Sequence, residues 1–307
     1  MPIDEVTLNF SPRGLALLNV VLALVMFGVA LDIRVADFRR VMTDRRPVLL
    51  GLSAQFFLLP AFTFLLVLIL DPLPSMALGM MLVAACPGGN ISNFMTHLAR
   101  GNTALSVTMS AVSTAAATFM TPFNIAFWGA LHPGTRAILR QVALDPVDMF
   151  LTVLTILGVP IVAGMTVAAR RPALAALLRR PMKVFSLIFF ALFVAAALAA
   201  NFGHFLRFVG WVAGLVALHN ATALGLGYGA ARLAGLAEGD RRAVAIEIGI
   251  QNSGLGLLIV FNFFDGLGGM AIVAAWWGVW HILAGLTVAT FWSRRPLAVG
   301  GIAGEPA

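Results

Sequence analysis

The stretch from Ala243 to Leu258 contains the polar residues that are hardest to accommodate in this chain. It lies in an apolar run that begins after Arg242 and ends at Phe264, which is long enough to cross a bilayer as a helix. The polar and helix-loosening residues near its midpoint are Glu247, Gly249, Gln251, Asn252, Ser253 and Gly254. Because a carboxylate inside a membrane is costly unless it is neutralised, Glu247 indicates a functional site.

Two chemistries would neutralise Glu247. Glycines loosen a helix and free backbone carbonyls, and these carbonyls with carboxylate and amide oxygens would form an oxygen-rich cage. Oxygen ligands of this kind suit a small hard cation such as Na⁺, whereas a bound proton is the other solution. A third reading is a structural ion pair with an arginine, although the sequence predicts no arginine deep in any apolar run.

A second interruption lies in MLVAACPGGNISNFMTHLAR at 81–100, where Pro-Gly-Gly at 87–89 would break a helix at mid-membrane. The half-helix that restarts near Asn90 would direct its positive dipole end and free N–H groups into the protein, a seat for an anionic group. Ser92 and Asn93 add side-chain oxygens. A kink used only for packing is the alternative. Two interrupted polar helices in matching places are typical of a transport site between inverted repeats.

Other polar side chains accompany these two interruptions. Ser106, Ser110 and Ser113 share one helical face, where their hydroxyls could bind a cation, bond their own backbone or allow close packing. We expect Ser106 and Ser110 to lie nearer the Pro-Gly-Gly break than Ser113. Gln55 is an amide in a strongly apolar stretch and needs a buried partner.

Several classes of site are not expected. The histidines have no spacing to another His, Cys or acid that would hold a metal, so no transition-metal site is predicted. His219 and His281 are expected to form hydrogen bonds between helices. Because the sequence contains no catalytic constellation and no phosphate loop, we predict that the protein is not an enzyme.

The composition indicates an all-α integral membrane protein, since 60% of the 307 residues are hydrophobic and only 11% are charged, against about 25% in soluble domains. The single cysteine, Cys86, excludes an internal disulfide. Asp4 and Glu5 precede the first apolar run, so a cleavable signal is not expected. Nine transmembrane helices are predicted at about 14–34, 47–69, 75–98, 102–130, 147–169, 182–203, 206–233, 242–264 and 269–293.

The basic residues predict the orientation of these nine spans. One side of the membrane would carry 16 of the 20 lysines and arginines, and the other side would carry four. The positive-inside rule then places the N-terminus outside and the 294–307 tail in the cytoplasm. This bias accounts for the net charge of +7, so nucleic acid is not expected as a partner, and no obligate protein partner is evident.

The motifs CPGGNISNFMTHLARGNTALS at 86–106 and IEIGIQNSGLG at 246–256 together resemble the bile acid:sodium symporter (BASS) family. The resemblance implies an inverted-repeat secondary transporter in which two discontinuous helices cross, here the third and eighth spans. It implies a core domain at about 47–130 and 206–293 and a panel domain at about 14–34 and 147–203. Compared with the ten-span bacterial pattern, the resemblance implies that the first helix is absent here, so nine spans are expected, as in animal members.

The resemblance also implies two sodium sites and a substrate site. The first sodium site would comprise Ser92, Asn93, Ser106, Ser110 and Glu247, with Ser110 where relatives can have threonine. The second would comprise Gln55, Glu247 and Gln251 with the carbonyls of Ile248 and Ile250. Substrate would contact Asn90 and Asn252 and, as a weaker candidate, His281.

The predicted function is therefore sodium-coupled symport of an organic anion by alternating access, with two Na⁺ co-transported. Bile-acid-like steroid conjugates and small carboxylates are the substrate classes that the resemblance implies. The expected location is the bilayer of the bacterial inner membrane, as a multi-pass protein. A proton-coupled organic anion carrier or exporter on the same fold is the alternative.

Overall fold

The computed structural model describes residues 12–33, 36, 39, 43–89, 91–142, 146–200 and 202–295. Within these ranges the regular elements are helical, which confirms the predicted all-α class for this part of the chain. The helices are α1 (Pro12–Ala30), α2 (Arg45–Ser53, Ala54–Leu58 and Leu59–Leu70), α3 (Pro74–Ala85), α4 (Ile91–Leu98), α5 (Thr103–Leu131), α6 (Pro133–Gln141), α7 (Pro146–Val153, Leu154–Gly158 and Val159–Arg170), α8 (Pro172–Ala200), α9 (Phe202–Leu233), α10 (Glu238–Gly249), α11 (Ser253–Phe263) and α12 (Gly268–Ser293).

Four helical stretches are long and apolar enough to cross a membrane: Arg45–Leu70, Thr103–Leu131, Phe150–Arg170 and Gly268–Ser293. They fall on the second, fourth, fifth and ninth predicted spans. Large apolar side chains on their surfaces are exposed, for example Ile69 on α2 and Phe119 on α5, as expected of a face that meets lipid. The chain is therefore an integral membrane protein, and the count of nine spans stays a prediction.

The third and eighth predicted spans are each built from two short helices, as the glycines predicted. The breaks between α3 and α4 and between α10 and α11 meet, and Gly88 pairs with Gln251 in an isolated antiparallel bridge. Gly89 N–H donates to the Ile250 carbonyl at 2.7 Å, and Asn252 N–H donates to the Pro87 carbonyl at 2.9 Å. Each break thereby satisfies backbone groups of the other, which a membrane interior requires.

Two π-helical turns, Ala54–Leu58 in α2 and Leu154–Gly158 in α7, were not predicted. Each lies just before a proline, Pro60 or Pro160. Proline has no N–H for the carbonyl four residues earlier, and its ring clashes with that carbonyl. A wider turn relieves the clash, and the turn in α2 contains the buried Gln55.

Two further differences concern helix ends. Helix α8 begins at Pro172, ten residues before the predicted span at 182. The prediction started later because the first turns of the helix carry arginines, which an apolar run excludes. Arg179 in this extension pairs with Asp32 at 3.2 Å and donates to the Leu31 carbonyl at the end of α1. The 131–146 connection contains the nine-residue helix α6, which is too short to give a periodic signal.

The core surrounds the two interrupted spans. Every residue from Ser75 to Ala85 in α3 is buried, and so are Ser253 to Phe261 in α11. Helix α3 packs against α2, α5 and α12, while α10 packs against α9. The two breaks are thus held in the interior of the protein.

Candidate functional site

Glu247 lies fully buried in the last turn of α10, just before the break. Its Oε2 accepts hydrogen bonds from the hydroxyls of Ser92 at 2.6 Å and Ser106 at 3.1 Å. Its Oε1 accepts a hydrogen bond from the hydroxyl of Ser110 at 2.6 Å. Helices α4, α5 and α10 therefore converge on one carboxylate.

Asn93 extends this cluster. Its Oδ1 accepts hydrogen bonds from Ser106 at 2.8 Å and from Ser110 at 3.2 Å. The structure thus brings together all five residues of the first predicted set, which contribute six side-chain oxygens. Ser113 has a different partner, since its hydroxyl donates to the Ser110 carbonyl of its own helix at 3.2 Å. The predicted difference between Ser113 and the other two serines is confirmed.

The chemistry of this cluster suits a hard cation. It consists of oxygens with one formal negative charge, the donor type that alkali and alkaline-earth cations prefer over nitrogen and sulfur. A serine hydroxyl that donates to Glu247 can turn a lone pair towards a cation instead. The ligand atoms would therefore be in place before the cation arrives.

An ion pair does not account for Glu247 in the described part of the chain. The salt bridges there join Arg179 to Asp32, and Arg241 and Arg242 to Glu238. The reading in which Glu247 only packs against an arginine therefore finds no partner among the described residues.

Of the second predicted set, the structure brings together the two glutamines and the Ile248 carbonyl. Gln55 Nε2 donates to Gln251 Oε1 at 2.8 Å, and Gln251 Nε2 donates to Gln55 Oε1 at 3.2 Å. The same amide nitrogens donate to the carbonyls of Cys86 at 2.7 Å and Ile248 at 2.6 Å. The Ile250 carbonyl is engaged by the bridge between the breaks. A cation at this second position would have to turn or displace the amide pair.

The glycines of the first break allow its backbone to approach Glu247 and the second break closely. A Cβ atom on Gly88 would overlap Oε1 of Glu247, and one on Gly89 would lie 3.2 Å from the Gln251 carbonyl oxygen. Backbone and carboxylate can come this close only because glycine has no side chain.

His281 lies on α12 and is only 5% exposed. A Cβ on Gly278 would lie 2.8 Å from Ser253 Oγ, and a Cβ on Gly285 would lie 2.7 Å from Cδ1 of Ile250. Since His281 falls between these glycines on the same helical face, it lies on the face of α12 that packs against the α10–α11 break.

The other two predicted substrate residues are Asn252, which the structure describes, and Asn90, which it does not. Asn252 caps α11, because its Oδ1 accepts the N–H of Leu255 at 3.1 Å. Asn90 lies outside the described residues. Contact of Asn90, Asn252 and His281 with substrate stays a prediction.

Two polar residues next to the site were not predicted as part of it. Asn220 Nδ2 donates to the Gly249 carbonyl at 2.7 Å, which satisfies the end of α10. Thr96 donates to Ser106 Oγ at 3.3 Å. The polar dipeptide His219-Asn220 in an apolar span was the available signal for Asn220, but spacing alone does not indicate which helix an amide will face.

Comparison with known proteins shows the family of this chain. The model of the Sodium Bile acid symporter family matches residues 19–207, which is more than half of the chain. The chain belongs to this family. The resemblance inferred from the two motifs is thereby confirmed.

Similar proteins are found in a bacterium, a plant and human. The "Uncharacterized sodium-dependent transporter YocS" of Bacillus subtilis is 32% identical, over 91% of this chain and 83% of that protein. The "Probable sodium/metabolite cotransporter BASS1, chloroplastic" of Oryza sativa is 30% identical, over 88% of this chain and 64% of that protein. The human "Ileal sodium/bile acid cotransporter" is 29% identical, over 79% of this chain and 68% of that protein. These relatives are sodium-dependent transporters and not enzymes, as predicted for this chain.

Proposed function

We propose that this protein is a symporter that uses the Na⁺ gradient to carry an organic anion across the membrane. The observation that supports this most is the buried Glu247 carboxylate, which three serine hydroxyls contact where two interrupted helices cross. The relatives' names point to metabolites in one case and bile acids in another, so we propose the organic anion class. Steroid conjugates and small carboxylates are its members to test first.

Two Na⁺ ions are proposed as co-transported substrates. The first would be held by Ser92, Asn93, Ser106, Ser110 and Glu247. The second would be held by Gln55, Glu247, Gln251 and the carbonyls of Ile248 and Ile250. Because the oxygens of the first set are already gathered while the second set is occupied by an amide pair, we propose that the first ion binds more tightly.

The charge balance favours an anion as the partner substrate. Two Na⁺ ions and one carboxylate leave a net charge of +1 beside the crossing. Helix α11 begins at Ser253 and α4 begins at Ile91, so both helices present positive N-terminal ends there. An anion seated at these ends would neutralise the excess charge, and Na⁺ and substrate would each raise the affinity for the other. Asn90, Asn252 and His281 are proposed to line this seat.

Transport is proposed to occur by alternating access in a nine-span protein with inverted repeats. The core at about 47–130 and 206–293 would carry the site, and it would move against the panel at about 14–34 and 147–203. The basic-residue bias supports an N-terminus outside and a cytoplasmic C-terminus. The proposed location is the bacterial inner membrane.

The test is uptake into liposomes that contain the purified protein, with taurocholate and pyruvate as probes of the two substrate classes. An inward Na⁺ gradient is expected to drive uptake, and K⁺ or choline is expected not to replace Na⁺. Two Na⁺ per monovalent anion would carry net positive charge inward, so a negative-inside potential should accelerate uptake, with about 2.3 kcal/mol available per charge per 100 mV. Uptake that ignores Na⁺ and follows a pH gradient would instead support the proton-coupled alternative.

A further inference from the structure

Arg242 is a buried arginine in the second turn of α10, with only 3% of its surface exposed. Its Nε donates to Oε1 of Glu238, one turn earlier, at 3.0 Å. Its Nη1 donates to the carbonyls of Ala99 at 2.9 Å and Trp292 at 3.2 Å. The pair with Glu238 lies within α10, whereas the two carbonyl contacts join α10 to the C-terminal ends of α4 and α12.

Two of the helices joined by Arg242, α4 and α10, also carry Ser92 and Glu247 of the first predicted sodium site. Helices α4 and α10 run antiparallel, and they touch through Ser92 and Glu247 at one level and through Ala99 and Arg242 at the other. With a rise of 1.5 Å per residue, the two levels are roughly 8 to 10 Å apart. Met95 and Ile246 fall between the two levels and belong to an apolar cluster whose other buried members are Ala99, Ile250 and Ala289.

The loop between α4 and α5 is fixed to the same end of α10. Asn102 N–H donates to the Gly239 carbonyl at 2.9 Å, and Asn102 Nδ2 donates to Asp240 Oδ1 at 2.7 Å. A Cβ on Gly101 would lie 3.2 Å from the Gly239 carbonyl oxygen, so the two backbones are in close contact. The end of α4 is therefore attached to α10 beside Arg242, and α5 starts from that attachment.

We propose that Arg242 is a positioning residue for the first sodium site. By holding the Ala99 carbonyl, it sets the height of α4 along α10, so that Ser92 meets Glu247 and Asn93 meets Ser106 and Ser110. This inference rests on the proposed binding of Na⁺ at that cluster. Without the guanidinium, the Ala99 and Trp292 carbonyls lose a charged donor. Among the described residues, only the Asn102 hydrogen bonds beyond the end of α4 then hold it to this end of α10, so α4 can shift along the apolar cluster.

The sign of the effect separates positioning from simple electrostatics. Arg242 is a positive charge near a cation site, so its removal would by charge alone raise the affinity for Na⁺. Positioning predicts the opposite, because the ligands of α4 would no longer be in register with Glu247. Substitution of a residue that orients metal ligands without touching the metal typically lowers the metal affinity by about 10- to 100-fold.

The experiment is a Na⁺ titration of thermal unfolding in detergent, with K⁺ replacing Na⁺ to keep ionic strength constant. Arg242→Gln is expected to raise the Na⁺ concentration for half-maximal stabilisation by about tenfold or more. Arg241→Gln is the matched control: Arg241 also contacts Glu238, at 3.6 Å, but its other hydrogen bond is to the nearby Leu236 carbonyl. We expect the control to titrate like the wild type.

Arg242→Lys keeps the charge but not the planar fork that reaches Glu238 and two carbonyls at once. It is expected to fold even if Arg242→Gln does not, and to shift the titration in the same direction by a smaller factor. Unchanged or tighter Na⁺ binding in Arg242→Lys or Arg242→Gln would overturn the inference while leaving the proposed function intact. A wild-type protein that Na⁺ does not stabilise would remove both.

Discussion

Glu247 and Glu238 lie on the same helix, yet their surroundings are opposite. Glu238 is half-buried and is neutralised by the guanidinium groups of Arg241 and Arg242. Glu247 is fully buried, and its described contacts are neutral hydroxyls. Hydroxyl donors stabilise a carboxylate without cancelling its charge, so Glu247 still needs a counter-charge, and we propose that Na⁺ supplies it.

Glu247→Gln tests this at the level of one residue. The substitution keeps the size and one oxygen but removes the charge, so we expect Na⁺ affinity and transport to fall to background. At a Na⁺ concentration about 100 times Kd, binding adds about 2.7 kcal/mol to the free energy of unfolding, and the variant should lose that gain. Glu247→Asp should be intermediate. Equal Na⁺-dependent stabilisation of wild type and Glu247→Gln would exclude Glu247 as a sodium ligand.

Ser92 on α4 and Ser110 on α5 offer a graded test, with Ser113 on α5 as the control. Ser92→Ala and Ser110→Ala each remove a neutral ligand that water can replace, so we expect each to weaken Na⁺ binding less than Glu247→Gln does. Ser113→Ala removes the same group from a hydroxyl that bonds its own helix, and its Na⁺ titration should match the wild type. The titrations are measured by thermal unfolding, and an equal loss in all three variants would mean a general packing effect.

The residue types indicated Glu247 as a functional site and the serines as possible partners, and the resemblance to the family assigned them with Asn93 to one sodium site. The capping role of Asn252 is different, since a side chain that follows a break can face either substrate or the next helix. The contact between Asn220 and the Gly249 carbonyl also needed the structure. Spacing indicates a helical face but not the neighbour that the face meets.

The two breaks are the elements that bring the site together. Pro87 and the glycines made the first break predictable, but the hydrogen bonds that join it to the second break depend on three-dimensional packing. The π-helical turns were missed, since they depend on how a proline is accommodated in a long helix. The prolines at positions 60 and 160 are a signal for such turns only when the helix is already known to continue past them.

Gly88→Ala tests the first break at the level of the element. The added methyl would overlap Oε1 of Glu247, so the carboxylate or the break must move. We expect Na⁺ affinity measured by thermal shift to fall by about tenfold or more. Gly225→Ala on α9 is the control, because a Cβ there meets nothing within 4 Å. If Gly88→Ala kept wild-type Na⁺ affinity, the break would tolerate displacement and would not set the carboxylate's position.

At the scale of the whole molecule, the contact between the proposed panel and core includes a reciprocal amide pair. Asn19 on α1 donates to Asn262 on α11 at 2.8 Å, and Asn262 donates back at 2.7 Å. The two residues are 243 positions apart, so no local pattern could predict that they meet. If the core moves against the panel during transport, this pair must separate.

Cross-linking Asn19→Cys to Asn262→Cys with a cleavable bifunctional methanethiosulfonate reagent should therefore stop anion uptake into liposomes, and reduction should restore it. The native Cys86 is buried, so it should not compete for the reagent. The matched control is Phe64→Cys with Trp128→Cys, whose native rings lie 5.3 Å apart and which both belong to the proposed core. A link within one moving body leaves its motion free, so uptake should continue after that cross-link. Full uptake with residues 19 and 262 joined would show that these two helices move together, and the proposed boundary between panel and core would have to be redrawn.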